Sequence, residues 1–215
     1  NGFGASSTGQ TDIRQSQISD GTTYNQPSYS LNEYSYNPYF ARANYDLLGR
    51  YSIEASFRRD GSSLFGANRR WASFWSVGTL WNMKKEAWLQ DASWLNQLQL
   101  RVNYGTTGNS GIDNYLAYGL LGSSSLYQGN ATWGLSQVAN PDLTWETVTS
   151  ANIGLNFRIF DKLSTTIDLY SKKTSDMLME IPYSYSTGFG GGWGNVGSMT
   201  NKGVEFEFSY DIFQK

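Results

Sequence analysis

Apolar and polar residues alternate one for one in several stretches of the chain, the mark of a strand with one apolar and one polar face. In Arg50–Arg58 the apolar positions are Tyr51, Ile53, Ala55 and Phe57, set against Arg50, Ser52, Glu54, Ser56 and Arg58. Gln97–Tyr104 sets Leu98, Leu100, Val102 and Tyr104 against Gln97, Gln99, Arg101 and Asn103. Ala151–Ile159 and Val204–Ile212 repeat the pattern, and weaker versions cover Asn37–Leu48, Ala72–Met83 and Leu163–Lys173. Seven strands are therefore predicted, most near the ~9–11 residues that a tilted strand needs to cross a bilayer. In such a wall Ile53, Phe57, Leu100, Leu155, Phe206 and Phe208 face lipid. Glu54, Arg101, Arg158, Glu205 and Glu207 face a lumen.

The connections sort by length. Leu48-Gly49-Arg50, Lys84–Asn96 and Phe160-Asp161-Lys162 fall on one side; Asp60–Trp71 and two long stretches, about 106–144 and 174–201, fall on the other. Short turns on one side and long loops on the other is the plan of a membrane barrel, with the long loops expected outside the cell. Within Lys84–Asn96, Trp88, Ala92 and Leu95 fall at helical spacing; a short amphipathic helix and an ordered turn both fit, and the turn is favoured. Residues 1–36 are rich in Ser, Gln, Asn and Thr and read as a polar loop, expected to be extracellular, ahead of a barrel segment over 37–215. The fold class expected is all-β, an antiparallel transmembrane β-barrel segment.

Composition sharpens this. There are 15 Tyr, 11 Phe, 8 Trp and 23 Gly against 4 Pro, an aromatic load that membrane barrels carry in their interfacial girdles. No run of roughly 18 apolar residues is present to form a membrane helix. With 16 basic and 18 acidic residues the formal charge is −2, which offers nucleic acid no basic face. Neither Cys nor His occurs, so thiolate and imidazole chemistry, catalytic or metal-binding, is unavailable.

Candidate chemistry adds little. Glu205 and Glu207 share one face of a strand, but that is the polar face, where solvated lumen carboxylates are expected. The Gly-rich run Gly188–Gly194 fits neither dinucleotide nor P-loop spacing and reads as a turning loop, so no cofactor is expected. Asn130-Ala131-Thr132 matches a glycosylation pattern that carries little meaning in a bacterial barrel. The aromatic residues of the long loops, Tyr127, Trp133, Tyr183, Tyr185 and Trp193, are candidates for stacking on a substrate; packing the loops together is the competing role.

Five segments in order carry a more specific signal. Ser56–Gly66 (SFRRDGSSLFG), Leu100–Asn109 (LRVNYGTTGN), Asn140–Thr147 (NPDLTWET), Tyr170–Leu178 (YSKKTSDML) and Asn195–Glu205 (NVGSMTNKGVE) resemble barrel segments of the SusC/RagA family of TonB-dependent outer-membrane transporters. The resemblance covers about residues 37–215. It implies about seven strands of a barrel of about 22, with a plug domain in the lumen. It also implies transport driven by the inner-membrane TonB complex, a SusD-like surface lipoprotein as lid, and import of oligosaccharides or peptides. On that comparison the chain is a C-terminal-half segment without plug, TonB box or last strands. Its N-terminus is expected not to be the native one, because residues 1–30 show no signal peptide. None of the matching segments is a catalytic signature. Two other architectures share the alternation: a soluble carbohydrate-binding β-sandwich, which requires a second sheet over the apolar faces, and a closed eight-stranded barrel, which requires a further strand within residues 1–36.

Overall fold

The computed structural model describes residues 2–8, 17, 23–25 and 28–212. The rest of the polar stretch 1–36, and residues 213–215 of the segment 37–215, lie outside the described residues. Two compact units are present, Asn1–Tyr34 and Ser35–Lys215. In the first, Gly2–Gly4 pairs with Ser28–Ser30 and Ser7–Thr8 with Thr23–Tyr24. Neither pairing approaches the length of a membrane-crossing strand.

The second unit is built on one antiparallel sheet of seven strands, β1 (Tyr36–Leu47), β2 (Tyr51–Ser62), β3 (Trp71–Asn82), β4 (Leu95–Asn109), β5 (Glu146–Ile159), β6 (Leu163–Ser175) and β7 (Ser198–Tyr210). Each pairs with its sequence neighbour, so the sheet is a continuous meander. The strands run past the apolar alternation at the loop end: β4 reaches Asn109 and β5 begins at Glu146. Backbone pairing continues there although both faces are polar, so the hydrophobic contrast that marks a strand in sequence is gone. Two hairpins rise from the long loops, Leu120–Tyr127 with Asn130–Gln137, and Leu178–Pro182 with Gly191–Asn195.

The opposite end is closed by tight turns. Leu48 and Gly49 have φ of 57° and 61°, and Phe160 and Asp161 both 53°. Two successive positive φ values match the right-handed twist of the flanking strands. Gly49 N donates to Asp46 Oδ1 at 2.7 Å, and Asp161 N to Asn96 Oδ1 at 2.8 Å. The connector between β3 and β4 is an ordered turn: a 3₁₀ turn at Met83–Lys85 is followed by Lys84 Nζ donating to the carbonyls of Leu89, Gln90 and Ala92 at 2.8–3.0 Å. Glu86 accepts from the Tyr51 hydroxyl at 2.5 Å and the Trp81 indole at 3.0 Å. The Tyr51 hydroxyl, the Trp81 N–H and the Arg50 guanidinium hold the Glu86 carboxyl below the usual carboxylate range.

The two faces differ as the alternation predicts. Ile53, Phe57, Ile153, Leu169, Val204, Phe206 and Phe208 are exposed to between 47% and 68%, with no second sheet over them among the described residues, against the sandwich architecture. The register shows how this face meets a membrane. Four strands show four successive outward positions of belt: Phe57 to Tyr51 on β2, Tyr104 to Leu98 on β4, Leu169 to Leu163 on β6, where Thr165 is the one polar member and is almost fully buried, and Val204 to Tyr210 on β7. Yet the hydrogen-bonded row that starts at Phe57 and Trp75 runs on into polar Lys173 and Thr200, which pair with each other. The belt therefore slides along the strands by about one residue per strand. Strands ~4.8 Å apart with a ~3.3 Å rise do this when tilted by ~35–45° from the membrane normal.

Leu155→Arg, in the middle of the belt, is expected to cost about 2–4 kcal/mol in a lipid-folding titration of the whole protein, and Thr166→Arg on the polar face much less. A depressed carboxyl pKa stabilises above its unfolded value and loses that contribution as pH falls through the folded one. The difference in unfolding midpoint between wild type and Glu86→Ala should accordingly be present at pH 7, begin to shrink as pH falls through the ordinary glutamate range, and disappear only once the lowered folded-state pKa has been passed.

Candidate functional site

The site has two parts, a polar wall and the anchored roots of the long loops. On the wall, every carboxylate of the seven strands, from Asp46 to Glu207, takes the face opposite the belt. Arg101 of β4 reaches across β5 to Asp168 of β6, donating to both carboxylate oxygens at 3.2 Å and to Asn156 Oδ1 at 3.2 Å. The pair crosses over Gly154, where a Cβ would sit 2.4 Å from Asp168 Oδ1 and 2.8 Å from Arg101 Nη2. Gly78 and Gly105 lower the same face next to Asn103 and Ser76 and help form a hollow of about 730 Å³. Arg42–Glu54, at 2.7 Å, borders it. This surface offers paired charges and amides. Among the described residues, no group of Asp and Glu is arranged to hold a metal ion.

At the loop end the chain builds a small core. Phe65, Phe74 and Trp145 are almost fully buried, with Trp145 4.6 Å from Phe65 and 5.8 Å from Phe74 between ring centroids. Gly108 lies beneath Phe74, where any Cβ would overlap the ring. Asp60, 3% exposed, is held by Arg58 Nε at 2.7 Å, and Arg58 also donates to the Tyr36 hydroxyl. Burying that carboxylate is tolerable because it is paired.

Around this core, distant segments interlock. Gly66 N donates to Leu143 O at 2.9 Å and Asn68 N to Pro141 O at 3.1 Å. The two chains approach so closely that a Cβ on Gly66 would be 2.1 Å from Pro141 O. Trp145 Nε1 donates to Arg70 O at 3.2 Å. Asn140 Nδ2 donates to Trp193 O at 2.9 Å, which ties the first long loop to the second. Asn195 completes the clamp: its Oδ1 accepts from Thr144 N, and its Nδ2 donates to Thr144 O and Asp176 O, all at 2.8–2.9 Å. Glu146 accepts from Asn109 Nδ2 and Leu178 N at 3.3 Å. The five segments singled out by sequence thus all contribute to one loop-root clamp.

The five loop aromatics divide. Tyr127 and Trp133, 68% and 71% exposed, lie on the first hairpin, which reverses at Gln128-Gly129 with positive φ at both residues. Tyr185, 91% exposed, opens a 3₁₀ turn capped by Ser184 and ended by Gly188. Tyr183 is half-buried beside Gly192, and Trp193 is half-buried opposite Glu180 with its carbonyl used by Asn140. No ring contact among the described residues joins any two of the five. Sequence reasoning placed Arg101 on this wall but missed its partner Asp168; the signal was a glycine, Gly154, paired opposite both.

A tilted, two-faced antiparallel wall with turns at one end and clamped loops at the other defines a segment of a transmembrane β-barrel. Comparison with known proteins specifies which kind. Residues 2–214 match the family model described as "TonB dependent receptor-like, beta-barrel", and the chain belongs to that family of the bacterial outer membrane. It is 35% identical over 180 residues to the TonB-dependent receptor SusC of Bacteroides thetaiotaomicron, covering 80% of this chain and 18% of SusC. It is 33% identical over 210 residues to the TonB-dependent receptor P3 of Formosa agariphila, covering 96% and 21%. Among solved structures, the RagAB peptide importer in its "closed-closed" state superposes with a TM-score of 0.87 at 36% identity, over 95% of this chain and 23% of that one. The siderophore receptor PirA of Acinetobacter baumannii shares the fold alone, at 13% identity and a TM-score of 0.59. The chain spans 16–21% of the length of the curated relatives it matches.

Gly66→Ala should force the Pro141 carbonyl away and open the clamp. Hydrogen exchange of residues 110–144 in the whole protein should rise while exchange in β4 and β5 stays low. Asn195→Ala strands three backbone groups and should cost about 1–3 kcal/mol, read as an earlier loop-opening transition.

Proposed function

We propose that this chain forms part of the barrel wall of a TonB-dependent outer-membrane transporter that imports oligosaccharides or peptides together with a SusD-like surface lipoprotein. The observation that carries the reading is the pairing of a polar, charge-paired face with loops locked at their roots on one end of the same sheet. Such a wall lets a hydrophilic cargo pass while the loops receive it. The long loops, about 106–144 and 174–201, face the exterior, where the lipoprotein lid meets them, and the turns at Gly49 and Asp161 face the periplasm. TonB acts through parts of the whole protein outside this chain. The wall is not an enzyme: it binds and guides.

The two bare edges of the sheet support incorporation into a larger barrel. β1 and β7 have no strand on their outer edges among the described residues. In hydrocarbon each bare N–H or C=O costs several kcal/mol, so both edges are paired in the whole protein. The likeness to the RagAB peptide importer, at 36% identity, supports a peptide cargo, and the resemblance of the five segments to the SusC/RagA family carries oligosaccharides forward beside it.

Among the loop aromatics, the exposed Tyr127, Trp133 and Tyr185 are the ones presented to a ligand, while Tyr183 and Trp193 are half-buried in the second hairpin. Deleting the transporter from its host should abolish growth on one class, defined oligosaccharides or defined oligopeptides. Unimpaired growth on both would overturn the reading. In calorimetry with the purified transporter–lipoprotein complex, Trp133→Ala and Tyr185→Ala should each weaken that cargo roughly threefold to tenfold without lowering the thermal midpoint.

A further inference from the structure

Charge is distributed over the lipid-facing surface with one sign and on one side. Of the outward-facing residues of the seven strands, only three are charged: Arg59 on β2, Lys173 on β6 and Lys202 on β7. No outward position of these strands carries a carboxylate. All three cations are exposed, and none takes part in an ion pair among the described residues, whereas arginines of the opposite face, among them Arg42, Arg58, Arg101 and Arg158, are all in ion pairs.

Their depth is set by register. Arg59 is the first outward position beyond the belt on β2, two residues past Phe57, and Lys202 the first beyond it on β7, two residues before Val204. Across the sheet these two are offset by four residues, because Lys173, not Lys202, lies in the row of Phe57 and Thr200. A tilted sheet shifts by about one residue per strand, or about five over the five steps from β2 to β7. Arg59 and Lys202 therefore stand at nearly one height. Lys173 is one outward position further out on β6, within reach of a flexible lysine stem. Lys173 pairs with Thr200, so Lys202 is its diagonal neighbour, about 7–8 Å away between Cβ atoms. Arg59 is steadied by Trp71, whose ring lies 5.6 Å below its guanidinium and stacks with Tyr39. Hydroxyls fill the level between them, at Thr149, Ser171 and Thr200. On the turn side the outward positions bordering the belt, Leu47, Tyr51, Trp81, Leu163 and Tyr210, are uncharged.

We infer that Arg59, Lys173 and Lys202 form a binding level for the phosphate groups of anionic lipids in the leaflet on the loop side. The reasoning is charge complementarity at a fixed depth. A cation next to hydrocarbon and left without a protein partner is stabilised by a headgroup phosphate, to which guanidinium and ammonium donors are matched. The absence of outward carboxylates removes competitors for those donors. The inference rests on the apolar belt facing lipid and not on the identity of the cargo.

The test uses the whole transporter in phosphatidylcholine vesicles with spin-labelled lipids. Wild type is expected to enrich spin-labelled phosphatidic acid over spin-labelled phosphatidylcholine in the motionally restricted shell, and raised salt should weaken the enrichment. Each neutralisation should lower the relative association about fivefold at low salt, so R59Q/K173Q/K202Q brings it to the phosphatidylcholine level. R59K/K173R/K202R should retain it, as should R42Q/K172Q on the opposite face. The inference is overturned if the neutralised triple keeps the enrichment, if wild type shows none, or if inorganic phosphate abolishes it at a concentration where sodium chloride of equal ionic strength does not. The size of the restricted phosphatidylcholine shell reports separately on the belt. Its loss in wild type would refute the lipid-facing assignment itself. An unchanged shell in the triple shows that the variant is folded and its result decisive.

Discussion

Everything in this wall follows from the cost of a bare peptide group in hydrocarbon. An unpaired N–H or C=O there costs several kcal/mol, so the chain crosses only as hydrogen-bonded strands. The pairing enforces a period of two, and the period of two forces each strand to present one face to lipid and one to the lumen. The location of every charge in the seven strands can be read from that constraint. Carboxylates go to the inner face, where arginines and amides reach them, as Arg101 reaches Asp168. The few outward charges are cations at the belt's border.

The same constraint explains the division of labour between the ends. Connections of three residues keep β1–β2 and β5–β6 in register at little cost in length, using positive φ at Leu48, Gly49, Phe160 and Asp161. At the other end the strands outrun the membrane, and the chain is free to leave the sheet. There its stability passes from ladder hydrogen bonds to a small aromatic core and to side chains that satisfy loop backbone. Asn195 is the clearest case, with one amide serving three backbone groups from two loops.

How much of this was legible in the sequence differs by region. The two faces and both tight turns could be read directly, because Ile153, Leu155 and Phe157 alternate with Asn152, Gly154 and Asn156, and because Leu48-Gly49 and Phe160-Asp161 separate such runs. Strand ends could not. Glu146–Ser150 has polar residues on both faces, so pairing leaves no hydrophobic trace there. The two hairpins were hidden for a related reason: Leu120–Tyr127 is interrupted by Gly122 and three serines, and Gly191–Asn195 is mostly glycine. The clamp was visible only as a set of resembling segments. That Gly66 abuts Pro141, 75 positions further on, is tertiary information that no local pattern carries.

The loop-root clamp also has a mechanical meaning. A hairpin fixed at its base and free at its tip is a cantilever, and its compliance rises steeply with the length beyond the fixed point. For the first hairpin the fixed point is the ring of bonds from Gln137 Nε2 to the Tyr115 and Tyr118 carbonyls and from Asn140 N to Ala117 O. For the second it is Asn195 and the Val196–Met177 bond. Load applied at Trp133 or Tyr185 is therefore absorbed as bending of the arms. Little of it passes into the sheet, whose register has to stay unchanged while the arms deflect.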